Sequence, residues 1–134
     1  MSKKQCPIVG LDPNLPYSPI IQVGDFFYSA GVLPDVVDGK PVSGSIGQQT
    51  REVLGRIEKM LHDCGLSYND LFKVTILISG SMAAYQEINK IYSDFLRDVE
   101  IMPARKTLAV AGLPFGVLIE IEFEAIKQRE EKEI

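Results

Sequence analysis

Apolar and polar positions repeat along the chain with two different periods. Ile20–Val23 and Phe26–Ser29 are short apolar runs separated by Gly24-Asp25, the pattern of a β-hairpin with a turn that tolerates positive φ. Pro34 to Gly44 carries two prolines and two glycines and reads as a loop. From Ser45 to Leu61 the apolar positions Ile46, Val53, Leu54, Ile57, Met60 and Leu61 draw one helical stripe, with Ser45 as N-cap and Gly65 as C-terminal stop. Phe72–Ile78 alternates with period two, Val74, Ile76 and Ile78 facing one way and Thr75 and Leu77 the other. A second helix is expected over Ser81–Leu96, with Tyr85, Ile88, Tyr92, Phe95 and Leu96 as its stripe and Ser81 as its cap. Arg105–Val110 and Val117–Ile126 read as strands around a Gly112-Leu113-Pro114 connection.

The element order is therefore β-β-α-β-α-β-β, an α+β arrangement in one domain with its core over about residues 15–126. Right-handed crossovers place both helices on one face of a single mixed sheet. The other face keeps apolar residues such as Leu77 and Leu118 with no helix to cover them. A half-apolar, uncovered face calls for a partner subunit or a further covering element. The charged tail Lys127–Ile134 is expected to fray.

Composition narrows the function classes. With 46% hydrophobic and 24% charged residues the 134-residue chain has a globular balance. A net charge of −4 without a basic stripe argues against nucleic acid and membrane surfaces. The N-terminus has a charged start and no apolar run after it, so no signal peptide is expected. Glu120, Glu122 and Glu124 interrupt the most apolar stretch, which therefore does not span a bilayer. A cytoplasmic or organelle-matrix setting follows. Cys6 and Cys64 make neither a disulfide framework nor a metal pair. His62, the single histidine, stands at a helix end and leaves no triad or His-based metal site to build. Gly44, Gly47 and Gly55 do not form a phosphate-binding loop.

What remains is a set of polar residues at strand positions. Arg105 follows Met102-Pro103-Ala104, and its planar fork of donors suits a carboxylate; a surface or interfacial ion pair is the plainer alternative. Glu120, Glu122 and Glu124 share one strand face. That face is either solvated or, where it meets another subunit, holds a partly buried carboxylate suited to acid/base work. Tyr17 lies between Pro16 and Pro19 and either packs a loop or presents its hydroxyl at a pocket rim. Asn89 is a polar residue inside the second helix.

Taken in order, several segments resemble the RidA/YjgF reactive intermediate deaminase family, also known as endoribonuclease L-PSP. They are Leu15-Pro16-Tyr17-Ser18-Pro19, Phe27 to Pro34, Gln49-Thr50-Arg51, Lys73-Val74-Thr75, Asn89-Lys90-Ile91-Tyr92, and Pro103-Ala104-Arg105 through Leu113-Pro114 to Ile119-Glu120-Ile121-Glu122. The resemblance spans about Leu15 to Ile126, and the Pro-Ala-Arg segment with its downstream partners is its most specific part. It implies a chorismate-mutase-like α+β fold assembled as a homotrimer, with three sheets forming a central barrel and active clefts between subunits. It also implies hydrolysis of 2-aminoacrylate-type enamines or their imine tautomers, 2-iminopropanoate and 2-iminobutanoate, to a 2-keto acid and ammonia. No cofactor or metal is implied.

Under that resemblance Arg105 grips the substrate carboxylate and Glu120 orients or activates the attacking water. Tyr17, Ala30, Gly31, Asn89 and Thr107 line the same pocket. The chain departs from the family pattern at Ala30, where a serine is usual, and at Val32, where a glutamine is usual; Ser29 is one residue off and belongs to the opposite strand face. The departures bear on substrate range more than on reaction class. Two other readings stand beside it: an RNA-cleaving translation inhibitor, which the acidic charge and the single histidine oppose, and a non-catalytic small-carboxylate-binding or chaperone-like trimer.

Overall fold

The computed structural model describes residues 2–129. A mixed six-stranded sheet carries two helices. Its strands are β1 (Lys3–Gln5), β2 (Ile20–Val23), β3 (Phe26–Ser29), β6 (Leu71–Ser79), β7 (Ala104–Val110) and β8 (Ile119–Ile126), in the spatial order β1-β2-β3-β8-β6-β7. A small separate hairpin pairs β4 (Val36–Val37) with β5 (Lys40–Pro41). The helices are α1 (Ile46–Asp63) and α2 (Tyr85–Phe95). Among the described strands only β6 and β7 run parallel, and a parallel pair needs a long crossover, which α2 supplies.

The α+β class, the mixed sheet and the β2–β3 hairpin agree with the sequence pattern; the element order gains three strands. β1 is built from three exposed polar residues, so no periodicity marks it; it is held to β2 by backbone pairing alone. The 34–44 segment is not all loop. Asp38 (φ +52°) and Gly39 (φ +72°) form a two-residue turn with both φ positive, the Asp-Gly signature of a tight hairpin. α2 starts at Tyr85 rather than Ser81, because the Ser81 hydroxyl accepts from the Ala83 N–H and closes a separate turn ahead of the helix. β8 starts at Ile119 rather than Val117, since Pro114–Gly116 forms a single helical turn and Val117 N–H bonds back to Pro114.

α1 is capped as its sequence suggests. The Ser45 hydroxyl accepts from the Gln48 N–H at 3.1 Å. At the other end Gly65 has φ +75°, Leu66 N–H bonds Leu61 and Gly65 N–H bonds His62, the double bond pattern that ends a helix on a left-handed residue. The core lies between the helices and one sheet face. Val53, Leu54, Ile57 and Leu61 of α1 and Ile88, Ile91 and Tyr92 of α2 pack with Val74, Ile76 and Ile78 of β6 and Ile119, Ile121, Phe123 and Ala125 of β8. Each such large side chain contributes roughly 1.5–3 kcal/mol when fully buried.

The opposite face carries no helix among the described residues. It shows Phe26, Tyr28, Phe72 and Leu108, each between 37% and 43% exposed, beside Thr75, Leu77 and the β8 glutamates. Phe26 and Phe72 meet edge to face at 6.0 Å. The expected fraying of the charged tail does not hold for its first residues. Lys127 bonds the backbone of Asp25 and Gly65, Gln128 reaches Asn69, and Arg129 pairs with Asp25 at 2.7 Å. The rest of that tail, 130–134, lies outside the described residues.

Gln49, at 1% exposure, is a polar side chain inside this core. Its amide donates to the Ser43 carbonyl and accepts from the Leu118 N–H, both at 2.7 Å, and so ties the start of α1 to the entrance of β8. Gln49→Leu keeps the volume and leaves both backbone groups unpaired. It is expected to lower unfolding free energy by about 2 kcal/mol or more, read from the urea midpoint; an unchanged midpoint contradicts this role.

Candidate active site

Two clusters of polar side chains carry the residues singled out by the sequence. The first is built on β7 and α2. Arg105 pairs in register with Val74 and Thr107 with Ile76, so both point to the helix side of the sheet. α2 offers Tyr85, Asn89 and Tyr92, spaced four and three residues apart and therefore on one helix face. The Arg105 guanidinium donates through Nη2 to Asn89 Oδ1. Its central carbon lies 4.8 Å from the Tyr92 ring centroid and 5.6 Å from that of Tyr85, within cation–π range. Among the described residues no carboxylate forms an ion pair with it. The Tyr92 and Thr107 hydroxyls are buried and have no hydrogen-bond partner among the described residues. Burial pushes the Tyr92 phenol up to about 12, against the pull of the neighbouring Arg105 charge.

The second cluster lies where β3 leaves the sheet. Tyr28 pairs with Glu124 but Val32 with Ile121, four residues along one strand against three along the other, so the strand bulges between them. Ser29 fills the irregularity, its hydroxyl accepting from the Phe123 N–H at 2.8 Å. It therefore does not replace the hydroxyl missing at Ala30. Gly31 packs directly on Glu120: a Cβ at Gly31 would stand 2.6 Å from the Glu120 carboxyl carbon and 2.8 Å from Oε2. Only a residue without a side chain leaves the carboxylate that seat. Tyr17, Ala30 and Gly31 line one cleft of about 130 Å³ together with Leu15, Val32 and Met60.

The structure brings Tyr17, Ala30 and Gly31 to one cleft, with Glu120 against Gly31, and separately brings together Arg105, Thr107 and Asn89. It does not bring the two groups together within one chain. Glu120 pairs with Leu77 and Arg105 with Val74; three residues apart on β6, these stand on opposite faces of the sheet. Neither Tyr85 nor Tyr92 was singled out as a site residue in the sequence, where both belong to the apolar stripe of the second helix. The distinguishing signal is that they flank Asn89 at helical spacing. A cavity of about 480 Å³ beside Glu58, Tyr68, Asp94 and Arg97 contains none of these residues. His62 is exposed in the last turn of α1. Among the described residues no three histidine, cysteine or acidic side chains gather as a metal cluster.

This fold, with its arginine on β7 and its glycine-seated glutamate on β8, matches a known class. The endoribonuclease L-PSP family pattern covers residues 8–127. A RutC family protein of Pyrococcus horikoshii is 40% identical over 117 residues, 87% of this chain and 90% of that protein. The chloroplastic Reactive Intermediate Deaminase A of Arabidopsis thaliana is 35% identical over 108 residues, 80% of this chain and 56% of that protein. The solved structure of E. coli TdcF with bound serine superposes with a TM-score of 0.76 at 26% identity, covering 84% of this chain and 89% of that one. The chain belongs to the endoribonuclease L-PSP (RidA/YjgF) family.

Glu120 has its carboxyl raised above the ordinary glutamate value, first by burial and second by the charge of Glu122. A raised acid gives up stability when it ionises, so the folded state loses stability as pH climbs from about 4.3 through that raised value. Carboxyl carbon shifts followed by NMR are expected to place the Glu120 midpoint above the ordinary glutamate value. Glu122→Gln is expected to lower it; a midpoint at the ordinary value in both proteins contradicts the reading.

Proposed function

We propose that this chain is a single-domain hydrolytic deaminase of reactive enamines and imines, assembled as a homotrimer with each site shared by two copies. The observation that carries the proposal is Arg105: a half-buried guanidinium held by Asn89 on the sheet-edge strand, with no carboxylate of its own chain paired to it among the described residues. Such a group is an anion site waiting for a small carboxylate. The deaminase name of one relative and the serine bound to TdcF agree with a small amino-acid-like substrate.

The chemistry follows from the two clusters. 2-Aminoacrylate tautomerises to 2-iminopropanoate, and the Arg105 fork holds its carboxylate. Glu120 of a second copy, ionised, orients water and takes its proton as the oxygen bonds to the imine carbon. That proton passes to the imine nitrogen to give a carbinolamine, whose hydroxyl proton then moves to the same nitrogen as the C–N bond breaks and the C=O forms, releasing a 2-keto acid and NH₃. Tyr17, Ala30, Gly31, Asn89 and Thr107 shape the pocket. The residues named work by positioning and charge, without a covalent intermediate. The uncovered apolar face of the sheet supports the assembly, since burying Phe26, Tyr28, Phe72 and Leu108 needs a partner of matching shape. Among the described residues no helix is long and apolar enough to cross a membrane, in keeping with action in the cytoplasm or an organelle matrix.

The alanine at position 30 favours one second reading, a carboxylate-binding trimer without catalysis. A coupled assay separates them. With a serine/threonine dehydratase generating 2-iminopropanoate or 2-iminobutanoate, the wild-type protein is expected to accelerate keto-acid release, and Arg105→Ala to reduce kcat/KM about 100-fold. Glu120→Gln is expected to lower kcat by about 100-fold or more and to remove the acid limb of the pH–rate profile. No acceleration by wild type, with 2-keto acid binding retained, selects the binding reading. Normal rates in Arg105→Ala overturn both.

A further inference from the structure

Tyr85 and Tyr92 do more than fill the helix stripe. An arginine on a strand at the sheet edge has a long, flexible side chain, and a carboxylate gains little from a fork that must first be ordered. Asn89 fixes one nitrogen of Arg105 but leaves the plane of the guanidinium free to turn about that bond. The two rings supply the missing restraint. Tyr92 is 4% exposed and locked among Ile88, Ile91 and Leu96 in the core, so its face is a rigid platform 4.8 Å from the guanidinium carbon. Tyr85, seven residues earlier on the same helix face, adds a second ring at 5.6 Å. The Tyr92 hydroxyl finds no partner among the described residues, although a phenylalanine would pack there without that loss. The ring rather than the hydroxyl is therefore the working part.

We propose that Tyr92, assisted by Tyr85, is a positioning residue that clamps the Arg105 guanidinium by its ring face and so fixes the fork offered to the substrate carboxylate. The consequence for substrate rests on the deaminase reading; the clamp itself does not.

The experiment reads both separately. The Arg105 Nε–Hε proton is followed by ¹⁵N NMR, assigned by its absence in Arg105→Lys, and 2-oxobutanoate binding is measured by titration calorimetry. In wild type the proton is expected upfield of its random-coil position through the ring currents. Tyr92→Phe is expected to keep that shift and the affinity within about two-fold, whereas Tyr92→Leu returns the proton towards random coil and weakens binding about ten-fold, with KM rising more than kcat falls. Tyr85→Leu, at a partly exposed site that tolerates truncation, is expected to change both in the same direction by less. A wild-type proton at the random-coil position overturns the clamp. So does one unmoved in folded Tyr92→Leu and Tyr85→Leu. A ring-shifted proton that Tyr92→Leu releases, in a wild-type protein that does not bind 2-oxobutanoate, upholds the clamp and overturns the deaminase reading instead.

Discussion

Side chains alternate across a β-sheet, and neighbouring strands in register share the alternation. Here that rule runs through three adjacent strands. Val74 and Arg105 lie side by side on the helix side, and Leu77 and Glu120 lie side by side on the other. No rotamer of either residue carries it through the sheet. If the arginine and the glutamate act on one small molecule, they act from two chains, and the apolar open face, the edge position of β7 and the seat that Gly31 gives Glu120 all serve that meeting.

The rest of the fold supports the two halves in different ways. α2 turns one face to β7 and holds Arg105 by an amide and two rings, so its guanidinium is set by a helix packed in the core. The bulge at Ser29 redirects the end of β3 so that Ala30 and Gly31 approach β8 and the Tyr17 segment, which is tied in turn by the Ala30 N–H to the Pro19 carbonyl at 2.8 Å. Gln49 joins the helix layer to the entrance of β8, just ahead of Glu120. Each half of the site therefore depends on a buried polar contact or a strand irregularity rather than on a flexible loop.

Much of the fold was legible because its signals are local. Period two marked β6 and β8, period 3.6 marked both helices, and Ser45 and Gly65 marked the ends of α1. β1 was not legible, since Lys3–Gln5 has no apolar face and pairs through backbone alone. The β4–β5 hairpin had its Asp-Gly signal, outweighed by the surrounding prolines. At the site, residue type and position singled out Arg105 and the set Glu120, Glu122 and Glu124, and the family resemblance picked Glu120 from that set. Which sheet faces they occupy followed only from the register of β7 on β6 and β8 on β6, a long-range pairing that spacing along the chain does not contain. The clamp of Tyr85 and Tyr92 was hidden for a related reason: an aromatic stripe looks the same whether it meets leucine or arginine.

Subunit mixing tests the shared site most directly. Arg105→Ala and Glu120→Ala are each expected to be inactive alone, and are unfolded together and refolded as mixed assemblies. With each site drawing its arginine and its glutamate from different copies, about a quarter of the sites regain both residues, and imine hydrolysis is expected to return to that fraction of wild type. If the mixed protein assembles normally and stays inactive, every site draws both residues from one chain, and the account of a site divided by the sheet is wrong.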